Sequence, residues 1–304
     1  MPELPEVESV RRQLAPLLEG RRFERVEVAD PRLTRPDDPA AVARSLEGER
    51  VAAVDRRGKY LIVRFESGRA LLIHLRMTGS LLHARAGASA DDPYTRAVVT
   101  LDDGSDVAYR DIRRFGTWAL LERGEEDAYL AARLGAEPLG RGFTAARLGA
   151  RLAKRRAPVK SAILDQRTLA GVGNIYADEA LWYARVHPLR EAGSLDEGEV
   201  AALHRGIRRA LERGIERQGS TLRDYRLPDG ESGSMQHEFK VYGREGEPCE
   251  RCGTPIEKIR VAGRGTWYCP SCQRPPGEPV RRRARQAASS SSRRPSRSSS
   301  RSSE

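Results

Sequence analysis

The stretch CERCGTPIEKIRVAGRGTWYCPSC, residues 249–272, contains all four cysteines of the chain. Cys249 and Cys252 form one C-x2-C pair, and Cys269 and Cys272 form a second pair after sixteen intervening residues. Two such pairs at this separation can place four thiolates tetrahedrally around one zinc ion. Two disulfides are the alternative, which an intracellular chain disfavours. The stretch therefore predicts a zinc finger that forms a small unit of its own.

The residues between the two pairs predict a β-hairpin. Ile256–Val261 and Thr266–Tyr268 are strand-like, and Ala262-Gly263-Arg264-Gly265 joins them with Arg264 at the tip. A guanidinium held between glycines can bind a phosphate through two hydrogen bonds. A solvated turn arginine is the alternative interpretation.

Residues 1–130 predict a β-rich domain, most simply a β-sandwich, which follows a short N-terminal helix. Glycine, proline and aspartate turn signals separate its strand-like runs. These runs are Arg22–Val28, Tyr60–Phe65, Ala70–His74, Ala97–Leu101 and Val107–Arg110.

Residues 131–240 predict a second, helical domain, so the chain as a whole is of the α+β multidomain class. The predicted helices are Thr144–Leu152, Ser161–Leu164, Asn174–Tyr183 and Asp196–Gln218. The polar, glycine-punctuated segment 219–233 predicts a mobile loop. Residues 241–276 would then form the finger.

The net charge of +11 is concentrated at the C-terminal end. Residues 281–304 contain eight arginines and one glutamate among ten serines. The segment 277–304 cannot bury apolar surface, which predicts a disordered basic tail that neutralises DNA phosphates without reading sequence. An inert solubilising tail is the alternative.

The sequence offers neither an apolar run long enough to span a bilayer nor a basic, apolar secretory start. We therefore expect a cytoplasmic protein.

Only five of the 54 basic residues of the chain are lysines. Because lysine can change its protonation state and arginine cannot, a retained lysine suggests a need for an amine.

The N-terminal residues Pro2-Glu3-Leu4-Pro5-Glu6 place two carboxylates beside a potential secondary amine. If Met1 is removed, the amine of Pro2 has an expected pKa of about 8, against about 10.4 for a lysine amine. A fraction of the Pro2 amine is therefore uncharged and nucleophilic at neutral pH. Such an amine can form a Schiff base at a sugar C1′, and Glu3 can transfer protons as the ring opens. An ordinary exposed terminus is the alternative.

Several motifs in one order give a specific resemblance. They are MPELPEVE, RRGKYLI, HLRMTG, DIRRFGTW, GVGNIYADEALW, STLRDY with DGESGSMQ, VYGREGEPC and the four-cysteine finger. Over about residues 1–276 the chain resembles the formamidopyrimidine-DNA glycosylase family. The resemblance implies a β-sandwich flanked by helices, a helix–two-turn–helix domain and a zinc hairpin, with double-stranded DNA bound by a monomer in the cleft between them.

The resemblance also implies an activity, the excision of oxidised purines such as 8-oxoguanine and formamidopyrimidines, followed by strand cleavage through β,δ-elimination. Pro2 would be the Schiff-base nucleophile, Glu3 its proton partner and Glu6 a supporting carboxylate. Lys59 would contact phosphate and assist β-elimination. Arg264 would bind phosphate and assist δ-elimination.

The DNA contacts implied by the resemblance are His74, Met77, Tyr94, Arg113, Phe115, Arg155, Lys160 and Asn174. Met77, Arg113 and Phe115, here called the wedge residues, would fill the space left by an extruded base. Their alternative is a core Met and Phe with a surface Arg. Alternatives for the other contacts are a core His74, a solvated basic face at residues 154–156 and a plain N-cap at Asn174. Tyr94 stands where the family usually has a histidine.

Residues 217–236 resemble the loop that covers flipped 8-oxoguanine, and are called the capping loop below. Its candidate contacts are Ser220, Thr221, Arg223 and Tyr225. The related endonuclease VIII, which prefers oxidised pyrimidines, lacks such a stretch. An oxidised-pyrimidine glycosylase and a non-catalytic damaged-DNA-binding protein are the two competing functions.

Overall fold

Two antiparallel four-stranded sheets form the first part of the chain. The structure is a computed structural model that describes residues 2–85 and 92–275 of the whole chain. The strands of one sheet, in spatial order, are β1 (Phe23–Val28), β6 (Thr95–Leu101), β7 (Ser105–Asp111) and β5 (Gly79–Arg85). Those of the other are β2 (Val51–Arg57), β3 (Tyr60–Phe65), β4 (Ala70–His74) and β8 (Thr117–Leu121). The predicted β-sandwich is confirmed.

The two sheets and helix α1 (Leu4–Leu18) share one apolar core. Leu61 and Ile73 from one sheet meet Val99 and Val107 from the other, and Leu14 of α1 packs against them. Buried side chains alternate with partly exposed ones along β6, which is typical of a strand with one solvated face. In β1 a register irregularity between Phe23 and Arg25 interrupts this alternation. A second helix, α2 (Pro39–Leu46), packs beside β1.

Five further α-helices follow the sandwich within the described residues up to 275. They are α3 (Glu126–Ala131), α4 (Ala145–Leu152), α5 (Val159–Leu164), α6 (Asn174–Ala184) and α7 (Glu197–Glu216). The predicted start of the longest helix is confirmed at Asp196, whose side chain accepts a hydrogen bond from the Glu199 N–H at 2.8 Å.

Helices α6 and α7 approach closely because glycines lie on α7 where they meet. A Cβ on Gly206 would lie 2.5 Å from the carbonyl oxygen of Ala180, and one on Gly214 would lie 2.5 Å from the ring of Tyr176. The two helices therefore pack closely, and Tyr176 in the first turn of α6 lies directly against α7 at Gly214.

The finger contains the hairpin β9 (Glu257–Val261) and β10 (Arg264–Tyr268). Ala262 and Gly263, with φ values of 46° and 77°, form its two-residue turn, the geometry that tight hairpins favour. Arg264 is thus the first residue of β10, opposite Val261, and not the apex of the turn.

Glu179 fixes the segment that leads into the finger. Its carboxylate is fully buried in α6 and accepts hydrogen bonds from the successive N–H groups of Lys240, Val241 and Tyr242, at 2.9–3.0 Å. Burial raises the pKa of Glu179, and the three N–H donors oppose that shift. A single carboxylate therefore fastens the approach to the finger onto the helical domain.

The structure departs from the sequence expectations in two places. Strands β2, β5 and β8 were not predicted, although each completes a sheet. The capping loop was predicted to be mobile, yet Tyr225 and Leu227 are buried in the sandwich core.

The predicted basic tail lies outside the described residues. Within the described ranges, no α-helix has the length and apolar character that a bilayer span requires.

His74, the last residue of β4, is buried in a neutral form. Its Nδ1 accepts a hydrogen bond from the Arg76 N–H at 3.0 Å, and its ring packs edge to face against Tyr60. Burial, together with the charges of Arg76 and Lys59, lowers the pKa of His74 to about 3. The side chain can therefore donate a hydrogen bond through Nε2 but carries no charge at neutral pH.

This burial predicts an acid-sensitive stability. Below the ordinary histidine pKa of about 6.5 the unfolded chain binds a proton at His74 and the folded chain does not. The free energy of unfolding should therefore fall as the pH drops from 6.5 towards about 4, by up to about 1.4 kcal/mol per pH unit from this group. Urea unfolding of the wild type and of His74→Asn, which keeps an acceptor oxygen, measures this contribution. Parallel pH dependences for the two proteins would contradict it.

Candidate active site and nucleic-acid interface

The carboxylate of Glu3 caps helix α6 from another part of the chain. It accepts hydrogen bonds from the N–H groups of Gly173 at 2.8 Å, Ile175 at 3.0 Å and Tyr176 at 3.4 Å. These groups belong to the first turn, where a helix leaves its N–H donors without partners. A Cβ on Gly173 would lie 2.3 Å from Cδ of Glu3, so only glycine admits this approach.

Glu6 lies one turn further along α1 and joins three elements. Its Oε2 accepts from the Glu3 N–H at 2.8 Å, which closes the first turn of α1. Its Oε1 accepts from the hydroxyl of Tyr176 at 2.8 Å and from the Ser220 N–H at 2.7 Å. Gly219, at φ +79°, is needed here because a Cβ would lie 2.7 Å from Cγ of Glu6.

Lys59 faces these carboxylates from the two-residue turn between β2 and β3. Gly58, at φ +58°, makes that turn and packs against Ala170. Burial lowers the pKa of the Lys59 amine, against the opposing charges of Glu3 and Glu6. Burial likewise raises the pKa of Glu3, and the charge of Lys59 limits that shift. Both groups are thereby brought closer to exchanging protons at neutral pH.

Pro2 lies at the wall of a cavity of about 360 Å³. Two of the wedge residues, Met77 and Arg113, line it together with capping-loop residues and Tyr242. The lining residues include Pro2, Met77, Arg113, Ser220, Leu222, Arg223, Tyr225 and Tyr242. The cavity thus joins the N-terminal residue of the motif to both groups that the resemblance placed around a flipped base.

The wedge residues are exposed, so the alternative of a core Met and Phe is wrong. Met77 is 38% exposed and Phe115 is 52% exposed, which is unusual for large apolar side chains. The guanidinium of Arg113 lies 4.8 Å from the ring centre of Phe115. These three side chains form a solvent-facing group of mixed apolar and cationic character.

Lys160 and Asn174 contact the finger. Lys160, expected to contact the DNA backbone, is instead fully buried, and its ammonium lies 2.7 Å from Asp178 and 2.8 Å from the hydroxyl of Thr266. Burial lowers the pKa of Lys160 and raises that of Asp178 to about 7. The amide of Asn174 donates to the carbonyl of Gly265 at 3.0 Å. Both side chains therefore fix the strand that begins at Arg264.

The start of α6 also differs from expectation. Gly173, and not Asn174, is its N-cap, and three of its first N–H groups donate to Glu3. These donors are not available for the DNA phosphate that this helix end was expected to bind.

Two other expected DNA contacts lie at the surface with partners of their own. Tyr94 is 39% exposed, and the guanidinium of Arg110 lies 5.0 Å from its ring centre. Arg155 pairs with Asp165 at 2.9 Å, which reduces the net charge it presents, whereas its neighbour Arg156 is exposed.

The capping loop is anchored at one end and exposed in the middle. The Tyr225 hydroxyl donates to the Glu6 carbonyl at 3.1 Å, and the hydroxyl of Thr221 donates to the Tyr225 carbonyl at 3.2 Å. Leu222 and Arg223 between them are exposed. Ser220 is also buried and donates to Glu6. Tyr225 and Ser220 therefore anchor the loop, and the exposed Leu222 and Arg223 are the residues free to contact a ligand.

The four cysteines converge. Their sulfur atoms all lie within 4.8 Å of one another, and none forms a disulfide. The disulfide alternative is therefore wrong, and four thiols at this spacing fit one tetrahedral zinc ion. The indole N–H of Trp182 donates to Sγ of Cys249 at 3.4 Å, as the outer partner of a metal ligand would.

Sequence reasoning missed Tyr176, Tyr242, Thr78 and Asp111, which connect or line the site. Tyr176 lies within the GVGNIYADEALW motif and Asp111 within DIRRFGTW, so the motifs marked the segments. Only the three-dimensional contacts distinguish these residues from their motif neighbours.

Comparisons with known proteins agree along the chain. Residues 1–118 match the formamidopyrimidine-DNA glycosylase N-terminal domain, residues 134–226 the H2TH domain of the same enzymes, and residues 246–275 the zinc finger found in FPG and IleRS. The formamidopyrimidine-DNA glycosylase of Herpetosiphon aurantiacus is 46% identical over 90% of this chain and 100% of its own length. That of Bacillus subtilis is 44% identical over 90% of this chain and 99% of its own.

Solved structures give the same result. The MutM (Fpg) protein of Thermus thermophilus is 45% identical, with a TM-score of 0.79, over 90% of this chain and 98% of its own. The Lactococcus lactis Fpg in complex with abasic-site DNA is 37% identical, with a TM-score of 0.84, over 90% of this chain and 100% of its own. The chain therefore belongs to the formamidopyrimidine-DNA glycosylase family, the DNA glycosylases of base excision repair whose activity includes AP lyase.

Proposed function

We propose that this enzyme excises oxidised purines, 8-oxoguanine and formamidopyrimidines, from double-stranded DNA with the amine of Pro2 as nucleophile. The observation that carries the proposal is the position of Pro2. It borders the cavity between the wedge residues and the capping loop, next to the buried carboxylate of Glu3. A lesion nucleotide in that cavity would present its C1′ to the amine.

The first step is displacement of the base. The Pro2 nitrogen, freed by removal of Met1, forms a bond to C1′ as the bond from C1′ to the base breaks. Glu3, with its pKa raised by burial, delivers a proton as the sugar ring opens to the Schiff base. Because three backbone N–H groups hold its carboxylate, Glu3 needs little reorganisation to act.

Strand cleavage follows from the Schiff base. Loss of a proton from C2′ allows the 3′ phosphate to leave in β-elimination, and a second elimination releases the 5′ phosphate. The ammonium of Lys59 would neutralise phosphate during the first elimination, and the exposed guanidinium of Arg264 would bind phosphate during the second. Glu6 supports both steps indirectly, because it fixes Glu3 and the start of the capping loop.

DNA would be held in the cleft on both sides of the lesion. Met77 and Phe115 would enter the stack and Arg113 would hydrogen-bond the orphaned base, at the cost of a few kcal/mol for extruding the lesion. Neutral His74, Tyr94 and the basic residues around Arg155 would contact the backbone. Lys160 and Asn174 would act through the finger strand that they fix.

The capping loop favours purine lesions over the oxidised-pyrimidine alternative. Ser220, Thr221 and Arg223 precede the anchor Tyr225, and the exposed Arg223 borders the cavity. A non-catalytic DNA-binding protein would not require a nucleophilic amine at Pro2. We further propose one structural zinc ion on Cys249, Cys252, Cys269 and Cys272, which would supply folding free energy to the finger.

Several expectations remain predictions. These are a monomeric state, action on DNA in the cytoplasm and the domain limits 1–130, 131–240, 241–276 and 277–304.

The nucleophile can be tested at the N-terminus. An extension that prevents removal of Met1 should lower base excision and strand cleavage by at least about a thousandfold, because the amine is lost as a nucleophile. Pro2→Gly should keep part of the activity through its primary amine. Borohydride trapping on 8-oxoguanine duplexes measures both, since only a Schiff base becomes covalently linked. An unprocessed protein with full activity would exclude Pro2.

The role of Arg264 is tested by Arg264→Ala. Loss of a charge-assisted phosphate contact should weaken lesion-DNA affinity about tenfold and slow the second elimination, while the zinc content stays unchanged. Arg260→Ala, on the partner strand of the hairpin, is the matched control for loss of charge. Zinc loss in the Arg264 variant would instead assign the residue a structural role.

The finger is tested by Cys269→Ser or by chelation of the metal. DNA affinity should be lost while the sandwich still unfolds cooperatively, because the folding free energy of the finger comes from its metal. Ser271→Ala is the neighbouring control. Unchanged affinity for lesion DNA after verified zinc loss would refute the assignment.

A further inference from the structure

Two loops carry the wedge residues, and one buried carboxylate joins them. Met77 lies in the turn between β4 and β5, and Arg113 and Phe115 lie between β7 and β8. Asp111, at the end of β7, is 1% exposed, and its Oδ1 accepts from the hydroxyl of Thr78 at 2.5 Å. The residue next to Met77 is thereby fixed to the strand that leads to the other loop.

The same pair also holds the second loop. The Arg113 N–H donates to the hydroxyl of Thr78 at 3.0 Å and lies 3.2 Å from Oδ1 of Asp111. The Gly116 N–H donates to Oδ2 of Asp111 at 2.8 Å. The carboxylate thus binds both ends of the segment that carries Arg113 and Phe115, leaving their side chains free.

Space around this segment is tightly limited. A Cβ on Gly116 would lie 1.6 Å from the hydroxyl oxygen of Tyr109, which is itself fully buried. Arg114, between the two wedge residues, has a positive φ of 58°, which is costly for a residue with a side chain. Its guanidinium makes two hydrogen bonds to buried Asp30, at 2.6 and 2.7 Å. This pairing stabilises the backbone conformation at Arg114 and ties the segment to Asp30.

We propose that Thr78 and Asp111 are positioning residues that hold the two wedge-bearing loops in a fixed relation, with Asp30 as a second clamp through Arg114. This inference rests on the proposed role of Met77, Arg113 and Phe115 in filling the extrusion site. The clamp would determine how far the wedge enters the duplex and where Arg113 meets the orphaned base. It would therefore contribute to opposite-base discrimination, although neither Thr78 nor Asp111 need contact DNA.

The test is Thr78→Val, which removes the hydroxyl and keeps the shape of the side chain. Single-turnover excision of 8-oxoguanine should slow roughly fivefold, the rate equivalent of one lost hydrogen bond. The ratio of rates opposite cytosine and opposite adenine should change, and 2-aminopurine beside the lesion should report less unstacking. Incision of a preformed abasic site, where no base is extruded, should be affected less.

Three variants make the result specific. Thr78→Ser restores the hydroxyl and should restore the opposite-base ratio. Thr100→Val removes a comparable 2.8 Å hydrogen bond to Asp106 in the same sheet and should leave the ratio unchanged. Asp30→Asn should reproduce the Thr78→Val pattern.

Two results would overturn the proposal. One is wild-type excision and an unchanged ratio in Thr78→Val. The other is an equal loss on both substrates together with a lower unfolding midpoint, which would mark a purely structural role. A measurement on the wild type distinguishes this inference from the proposed function. If the wild type neither excises 8-oxoguanine nor is trapped by borohydride, the proposed function is refuted, and the positioning role of Thr78 and Asp111 is not.

Discussion

The hydrogen bonds from the first turn of α6 to Glu3 are the interaction on which the rest of the site depends. Glu3 precedes α1 of the sandwich domain and α6 belongs to the helical domain, so this carboxylate joins the two at the candidate site, beside the contact of Glu6 with Tyr176. Helix ends need acceptors for their free N–H groups, and a carboxylate is favoured there by the helix dipole. The residue proposed to transfer protons is therefore also the cap that seats the second domain.

This arrangement has a consequence for the chemistry. Burial raises the pKa of Glu3, while the N–H donors and Lys59 stabilise its charged form. Burial outweighs these stabilising contacts, so the pKa of Glu3 lies above its ordinary value while its carboxylate stays held by the N–H groups of α6. Lys59 experiences the reverse balance, because burial disfavours its charge and Glu3 and Glu6 favour it. The same desolvated environment thus shifts the pKa values of both the Glu3 carboxyl and the Lys59 amine.

Sequence reasoning predicted the sandwich, the start of α7 at Asp196, the finger hairpin and the cysteine cluster, because each has a local signature. It missed β5 and β8, which pair with β7 and β4 and not with the strands next to them in sequence. It also missed β2, which pairs with the adjacent β3 but ends in the charged residues Asp55, Arg56 and Arg57, so its sequence is a weak strand signal. It placed Lys160 on DNA from the resemblance and the neighbouring basic residues 154–156, but a buried partner, Asp178, decided its position. The capping loop was predicted to be mobile from its glycines, and burial of Tyr225 and Leu227 could only be seen in three dimensions.

The candidate site has a buried part and an exposed part, and this division matches the role proposed for each part. Glu3, Glu6 and Lys59 are buried, and in their proposed roles they would keep their geometry through several proton transfers. Met77, Phe115 and Leu222 are exposed, so their side chains can contact a partner that arrives from solution. An exposed apolar side chain gains precision only if its backbone is fixed, because its rotamers are free until binding. In the proposed function, loops with a fixed backbone and exposed side chains would enter DNA without first ordering their own backbone, which lowers the entropic cost of binding.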